Sequence, residues 1–299
     1  MKFYANLHTH STHSDGQFSP AQLARTAKEE GYQALSLTDH DTATGYGELK
    51  AECDKIGLEC IFGTEFTGPS HLLPRPGKPD GQFHITAYHY DPEYPAMKEY
   101  LRGMSLRETD QTRILFERGV ALGKLKGITW DEVLEFNEGI TWLCNEHLFR
   151  ALLAKDLIRQ EDYTRFFYEL FGVHRGEVPP CYPFLPVQDL IKLIHDAGGI
   201  ALVAHPNRQL HLIDDLIAMG IDGMEVWHPD LPQQTREEAY RIALEKNLYI
   251  SGGTDHSGMC DNVYERYAGE ENCPYFIPKL SAGTTYDYFV EIRDRKISR

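Results

Sequence analysis

The sequence predicts an α/β fold, either a parallel barrel or a doubly wound sheet. Three observations carry that expectation. Short β-rich runs alternate with amphipathic helical patterns through most of the 299 residues, as β/α units do. Hydrophobic residues make up 41% of the chain, ample for a core. Residues 100–185 break the rhythm with a long run of helix formers, so a helical insertion is expected within one large domain.

The elements follow in order. FYANLH (3–8) reads as the first strand. PAQLARTAKEEG (20–31) reads as a helix, with Leu23, Ala24 and Ala27 on one face, Pro near its start and Gly at its end. YQALSLTD (32–39) is strand-like, YGELKAECDKIG (46–57) is helical and stops at Gly57, and LECIFGTE (58–65) and FHITAYHY (83–90) follow as strands. After the insertion, PVQDLIKLIHDAGG (186–199) sets Leu190, Ile191 and Ile194 at helical spacing, and IALVAHP (200–206) reads as a buried strand. LIDDLIAMG (212–220) is helical, IDGMEVW (221–227) a strand, TREEAYRIALEKN (235–247) a helix and LYISGGTD (248–255) the last strand. The total is about seven β/α units. Residues 1–99 and 186–299 are therefore expected to form the main domain and 100–185 the insertion. EVPPCYPFLP (177–186) is the way back, and the Trp130–Trp142 region the insertion's own core.

Composition narrows the function. The formal charge of −15 leaves no broad basic face for phosphate polymers or anionic membranes. Long nucleic acid is therefore not an expected partner. A small anionic substrate remains compatible if cations invert the local field. No apolar run reaches the roughly 18 residues of a membrane span. The N-terminus shows no secretory pattern, and a cytoplasmic location is expected. Cysteines 53, 60, 144, 181, 260 and 273 form no Cys-x-x-Cys pair, which fits free thiols in a reducing compartment. The sequence leaves the oligomeric state open.

The ends of the strands carry the chemistry. Side chains alternate along a strand, so His8 and His10 point the same way as the first strand ends. The next strand ends in TDHD with His40, the third in GTE with Glu65, the fifth in AHP with His205, and the last in GGTDH with Asp255 and His256. Parallel β/α folds build their sites at those ends. Metal-ligand residue types at one mouth point to a metal cluster, whereas a merely solvated set would scatter along the strands.

Taken together, HTHSTHSDG, TDHD, GTE, FHIT, AHPNR and GGTDH resemble the PHP (polymerase and histidinol phosphatase) family over residues 6–256. The resemblance implies a distorted (β/α)7 barrel of PHP type with a helical insertion, holding two or three divalent ions. It implies one ion on His8, His10, Glu65 and Asp255, a second on Glu65, His84 and His205, and a third on Asp15, His40 and His256. Mixed imidazole and carboxylate ligation fits Mn, Zn or Fe. Family members usually end the last motif as Asp-x-His, whereas Asp255 and His256 are adjacent here. Related phosphoesterases carry Arg-x-His in the insertion, facing phosphate. Here Asn145 and His147 hold those positions, with Arg208 and Arg150 as cations that could substitute. For the fourth strand the family match selects His84, whereas strand-end reasoning alone would select His89. His13 is read as a bystander, an outer partner of the site or a substrate contact. Asp39 and Asp41 could orient His40, and His228 could touch substrate.

The implied activity is hydrolysis of small phosphate esters, as a phosphatase or a cyclic phosphodiesterase on nucleotide or sugar phosphates. Water bridging two cations would be the nucleophile, and His205, His228 or Asp255 the proton donor to the leaving oxygen. Two other readings stay open: a metal amidohydrolase cleaving a C–N bond, and a non-catalytic metal-bound interaction module.

Overall fold

The structure, a computed structural model, describes residues 2–68, 83–166, 181–207, 209–255 and 282–297. Its strands are β1 (Ala5–Asn6), β2 (Ala34–Leu37), β3 (Glu59–Gly68), β4 (Phe83–Tyr88), β5 (Ile200–Val203), β6 (Gly223–Trp227) and β7 (Tyr249–Gly252). They form one sheet in sequence order. The sheet curls until its first and last strands nearly meet. The Leu7 N–H donates to the Gly252 carbonyl at 3.2 Å, and the Asp255 N–H to the His8 carbonyl at 2.9 Å. This is the nearly closed α/β barrel that the motifs imply.

Helices α1 (Pro20–Glu30), α2 (Tyr46–Ile56), α7 (Val187–Asp196), α8 (Ile213–Ala218) and α9 (Gln233–Glu245) accompany the barrel strands. α1 shows why they form where they do. Ser19 and Gln22 make a reciprocal capping box at its start, and Leu23, Ala24 and Ala27 are buried along one face. Between β4 and α7 come α3 (Pro95–Ala121), α4 (Trp130–Phe136), α5 (Asn145–Ala154) and the short α6 (Tyr163–Phe166). Met97, Tyr100 and Met104 of α3 belong to the main core. Leu115 and Phe116, further along it, join Val133, Leu148 and Phe149 in a second core. A helix of 27 residues is about 40 Å long, long enough to start beside the barrel and end in the insertion.

Two expectations need correction. The chain is not a run of seven parallel β/α units: β4 is antiparallel to both β3 and β5. Its ladder with β3 runs from Gly63↔Tyr88 to Gly68↔Phe83. Antiparallel neighbours need no crossover helix, so the rhythm of alternating elements does not hold there. The first strand is also shorter than 3–8, covering only Ala5–Asn6, so His8 and His10 stand in the loop that follows it.

The barrel interior is layered. At one end Ala5, Leu7, Ala34, Ile61, Tyr88, Ile200 and Leu202 pack with Phe289 and Ile292 of α10 (Tyr286–Asp294). That end is closed and apolar. Further along the same inward faces come Ser36 and Ser251, then Glu65, His84 and Glu225. The polar layer therefore opens at the other end, where the parallel strands finish. No helix among the described residues is long and apolar enough to cross a membrane.

Candidate metal centre

Glu65 on β3 is the hub. It is 0% exposed, and its two oxygens face different partners. Oε2 lies 3.2 Å from His8 Nε2, 3.3 Å from His10 Nε2 and 3.2 Å from His40 Nδ1. Oε1 lies 2.9 Å from His84 Nδ1 and 3.0 Å from His205 Nε2. Asp255 adds Oδ1 at 2.9 Å from His10 Nε2 and 3.4 Å from His8 Nε2. Its Oδ2 is 3.3 Å from His228 Nε2. Asp15 stands at 3.5 Å from His10 Nδ1 and 3.8 Å from His40 Nε2.

Local structure explains each position. The β1–α1 loop folds around Asp39, which accepts from the Ser11 N–H at 2.6 Å and from the Ser11 and Ser14 hydroxyls at 2.7 Å each. Gly16 lets that loop close, since a Cβ there would sit 2.3 Å from the His10 carbonyl oxygen. Gly253 does the same for the last strand, where a Cβ would sit 2.3 Å from the His8 nitrogen. His40 pairs in a single parallel bridge with Glu65, and Trp142 of the insertion stacks on its ring at 5.8 Å and 26°. His84 reaches the centre because β4 enters the barrel from the mouth. Its inward residues are His84, Thr86 and Tyr88, from mouth to floor. His89 lies beyond the floor end with φ +60 and takes no part in the cluster.

Among the described residues, four groups of donors gather closely enough to hold an ion: His8, His10, Glu65 and Asp255; His10, Asp15 and His40; His40, Glu65 and His84; and His8, Glu225 and His228. His84 and His205 stand 3.3 Å apart on Glu65 Oε1. Burial and charge act against each other here. Burial alone pushes His8 and His10 down, yet the surrounding carboxylates hold both well above the usual imidazole value. Burial likewise lowers His205, but its bond to Glu65 raises it to about 9. Burial pushes Glu65 and Asp255 up, and the facing imidazoles, His8 foremost, bring both well below the carboxylate range. His40 falls to about 3, chiefly through burial, and so stays neutral with one ring nitrogen free to bind. The pocket therefore favours positive charge beside its carboxylates. His8 Nε2, His40 Nδ1, Glu65 Oε2 and His84 Nε2 are buried without a hydrogen-bond partner, a costly condition that a cation would relieve. With imidazoles and carboxylates and no thiolate, the set fits divalent ions of the Zn, Mn or Fe type.

The remaining residues sort clearly. The carboxylates next to His40 are engaged elsewhere: Asp39 organises the loop, and Asp41 accepts from the Thr67 N–H at 2.9 Å. His13 pairs with Thr44 at 2.8 Å. His147 uses both ring nitrogens locally, accepting from the Cys144 N–H at 3.0 Å and donating to the Thr12 carbonyl at 3.0 Å. Arg150 donates to the Gly16 carbonyl and, at 3.3 Å, to the Ser14 carbonyl. Asn145 donates to Glu146 at 2.9 Å. His147 and Arg150 thus grip the loop that carries Asp15. Arg208 and His256 lie outside the described residues. Sequence reasoning missed Glu225 on β6, which is fully buried. It accepts from His8 Nδ1 at 2.9 Å and from the His205 N–H at 2.7 Å. The available signal was an acid placed inside the apolar strand GMEVW.

Comparisons with known proteins agree with this geometry. The sequence model of the PHP domain matches residues 6–168. A phosphoribosyl 1,2-cyclic phosphate 1,2-diphosphodiesterase from Eggerthella lenta is 25% identical over 260 residues, covering 86% of this chain and 95% of that protein. A 5'-3' exoribonuclease from Haemophilus influenzae is 30% identical over 268 residues, covering 85% and 90% respectively. A crystal structure described as a metal-dependent phosphoesterase from Bifidobacterium adolescentis superposes with a TM-score of 0.74 at 24% identity, over 99% of this chain and 97% of that one. At that identity the likeness speaks to the fold.

Proposed function

Because the chain belongs to the PHP domain family, we propose that it is a metal-dependent hydrolase that cleaves a phosphate ester of a nucleotide or sugar phosphate. The observation that carries this reading is Glu65: a fully buried carboxylate with five imidazole nitrogens between 2.9 and 3.3 Å from its two oxygens. His8, His10, Glu65 and Asp255 would hold one ion, and Glu65, His84 and His205 a second. Asp15 and His40 would hold a third, with His256. Divalent ions there supply Lewis-acid neutralisation of the ester oxygens and make a water acidic enough to act as nucleophile near neutral pH.

The chain's own residues set the proton traffic. His228 Nδ1 accepts from the Asp230 N–H at 3.1 Å, so its proton sits on Nε2, 3.3 Å from Asp255 Oδ2. That proton is the best placed to reach a leaving oxygen, ahead of His205, whose Nε2 is engaged with Glu65. The grip of His147 and Arg150 on residues 12–16 supports a shaping role for both, and leaves Arg208 as the candidate phosphate contact.

The Haemophilus influenzae relative favours a second substrate within the same chemistry, the 5′ end of a short RNA. The test is one panel on manganese-loaded protein: phosphomonoesters, cyclic phosphodiesters, 5′-phosphorylated oligoribonucleotides, amides and lactams. Metal-dependent release from any phosphate ester supports the proposal. Turnover confined to amides or lactams, or none at all, overturns it.

A further inference from the structure

We propose that Glu225 is a positioning residue that fixes His8 and His205 for metal binding. This rests on the metal reading above. A carboxylate at 0% exposure costs several kcal/mol unless fully partnered, and nothing in the expected ligand set requires one on β6. Met224 and Val226 beside it pack outward into the apolar core, so Glu225 faces the barrel interior. Its two oxygens are used separately. Oε1 lies 2.9 Å from His8 Nδ1, and Oε2 accepts from the His205 N–H at 2.7 Å.

Each bond has a consequence at the centre. An acceptor at Nδ1 keeps the His8 proton there, so the Nε2 lone pair points at the space shared with Glu65 and Asp255, 3.2 and 3.4 Å away. The other oxygen holds the backbone of His205 at φ +30, a conformation that residues with a side chain rarely adopt. In that conformation His205 Nε2 reaches Glu65 Oε1 at 3.0 Å. One side chain thereby aligns two imidazoles, one on each oxygen of the Glu65 carboxylate.

The chemistry provides a near-isosteric test. Glutamate offers two acceptors to two donors. Glutamine offers one acceptor and one amide donor, so Glu225→Gln can satisfy His8 or His205 but not both. If its oxygen faces His205, its amide forces the other tautomer on His8. The measurement is the dissociation constant for manganese in the parent and in Glu225→Gln, with circular dichroism as the control for folding. The variant should bind about 10–100-fold more weakly, and its cobalt-substituted form should show shifted visible bands. A folded variant with the parent's affinity and spectrum would overturn the assignment. If Glu225→Gln does not fold, imidazole nitrogen NMR of the zinc-loaded parent decides: a proton on His8 Nδ1 supports the assignment, and one on Nε2 overturns it. A parent that binds no metal would overturn the metal reading and this inference with it. A parent and variant that bind equally well would overturn this inference alone.

Discussion

Glu65 and Asp41 are both buried acids near the same mouth, and their surroundings push them in opposite directions. Glu65 faces imidazoles and stays ionised. Asp41 has the amide and the side chain of Thr67 against it, and burial still pushes it up to about 7. Its folded value lies above the ordinary one, so the native state takes up a proton that the unfolded chain lacks between about pH 4 and 7. The resulting stability is present at low pH and lost as pH rises through about 7. Asp41→Asn keeps the acceptor and removes the charge. In metal-free protein it should be stabilising by on the order of 1–3 kcal/mol at pH 8 and nearly neutral at pH 4, a pKa unit being worth about 1.4 kcal/mol. Urea midpoints at the two pH values check this, and an equal shift at both would refute it. At this scale the sequence was most legible at the expected strand ends: His8, His10, His40, Glu65 and His205 converge, although β3 continues to Gly68 and places Glu65 within the strand. Glu225 was illegible because it lies mid-strand, and its partners, His8 and the His205 amide, are remote in sequence.

Among elements, β4 and α5 matter most for the centre. Strand direction cannot be read from alternation alone, because residues i and i+2 share a face in either direction. His84 lies near the start of β4, so only an antiparallel strand brings it to the mouth. The family resemblance pointed to it, and the ladder with β3 gives the physical reason. α5 was legible as a helix, but its target was not. Its side chains meet the 12–16 loop across more than 130 positions of sequence, as in the Arg150–Gly16 and His147–Thr12 bonds. Arg150 is partly buried there, and its bonds to two carbonyls are charge-assisted. Arg150→Met should lower unfolding stability by about 1.5–3 kcal/mol, measured by denaturant titration. A variant as stable as the parent would show that the grip contributes nothing.

At the scale of the whole molecule, the barrel separates support from chemistry. α10 and the apolar strand starts close one end, and the polar layer gathers at the other. The ligand types read at the strand ends made that polar mouth legible. The packing of α3 in both cores was not, since a continuous helix shows no change of partner in its own sequence. The overall charge of −15 bears on substrate size. From that charge we predict that a longer polymer gains little beyond its reacting end. KM for a 5′-phosphorylated dinucleotide and for a ten-residue oligoribonucleotide should agree within about threefold, with a shallow salt dependence. A steep gain in affinity with length would reveal a basic track.

The proposed function depends on one arrangement, in which Glu65 would serve two ions at once. The direct measurement is the number of divalent ions per chain by mass spectrometry, for the parent and for Glu65→Ala reconstituted alike and dialysed. Two or three ions in the parent, and at least two fewer in the variant, is the predicted result. A folded Glu65→Ala protein that keeps the parent's full complement would contradict it.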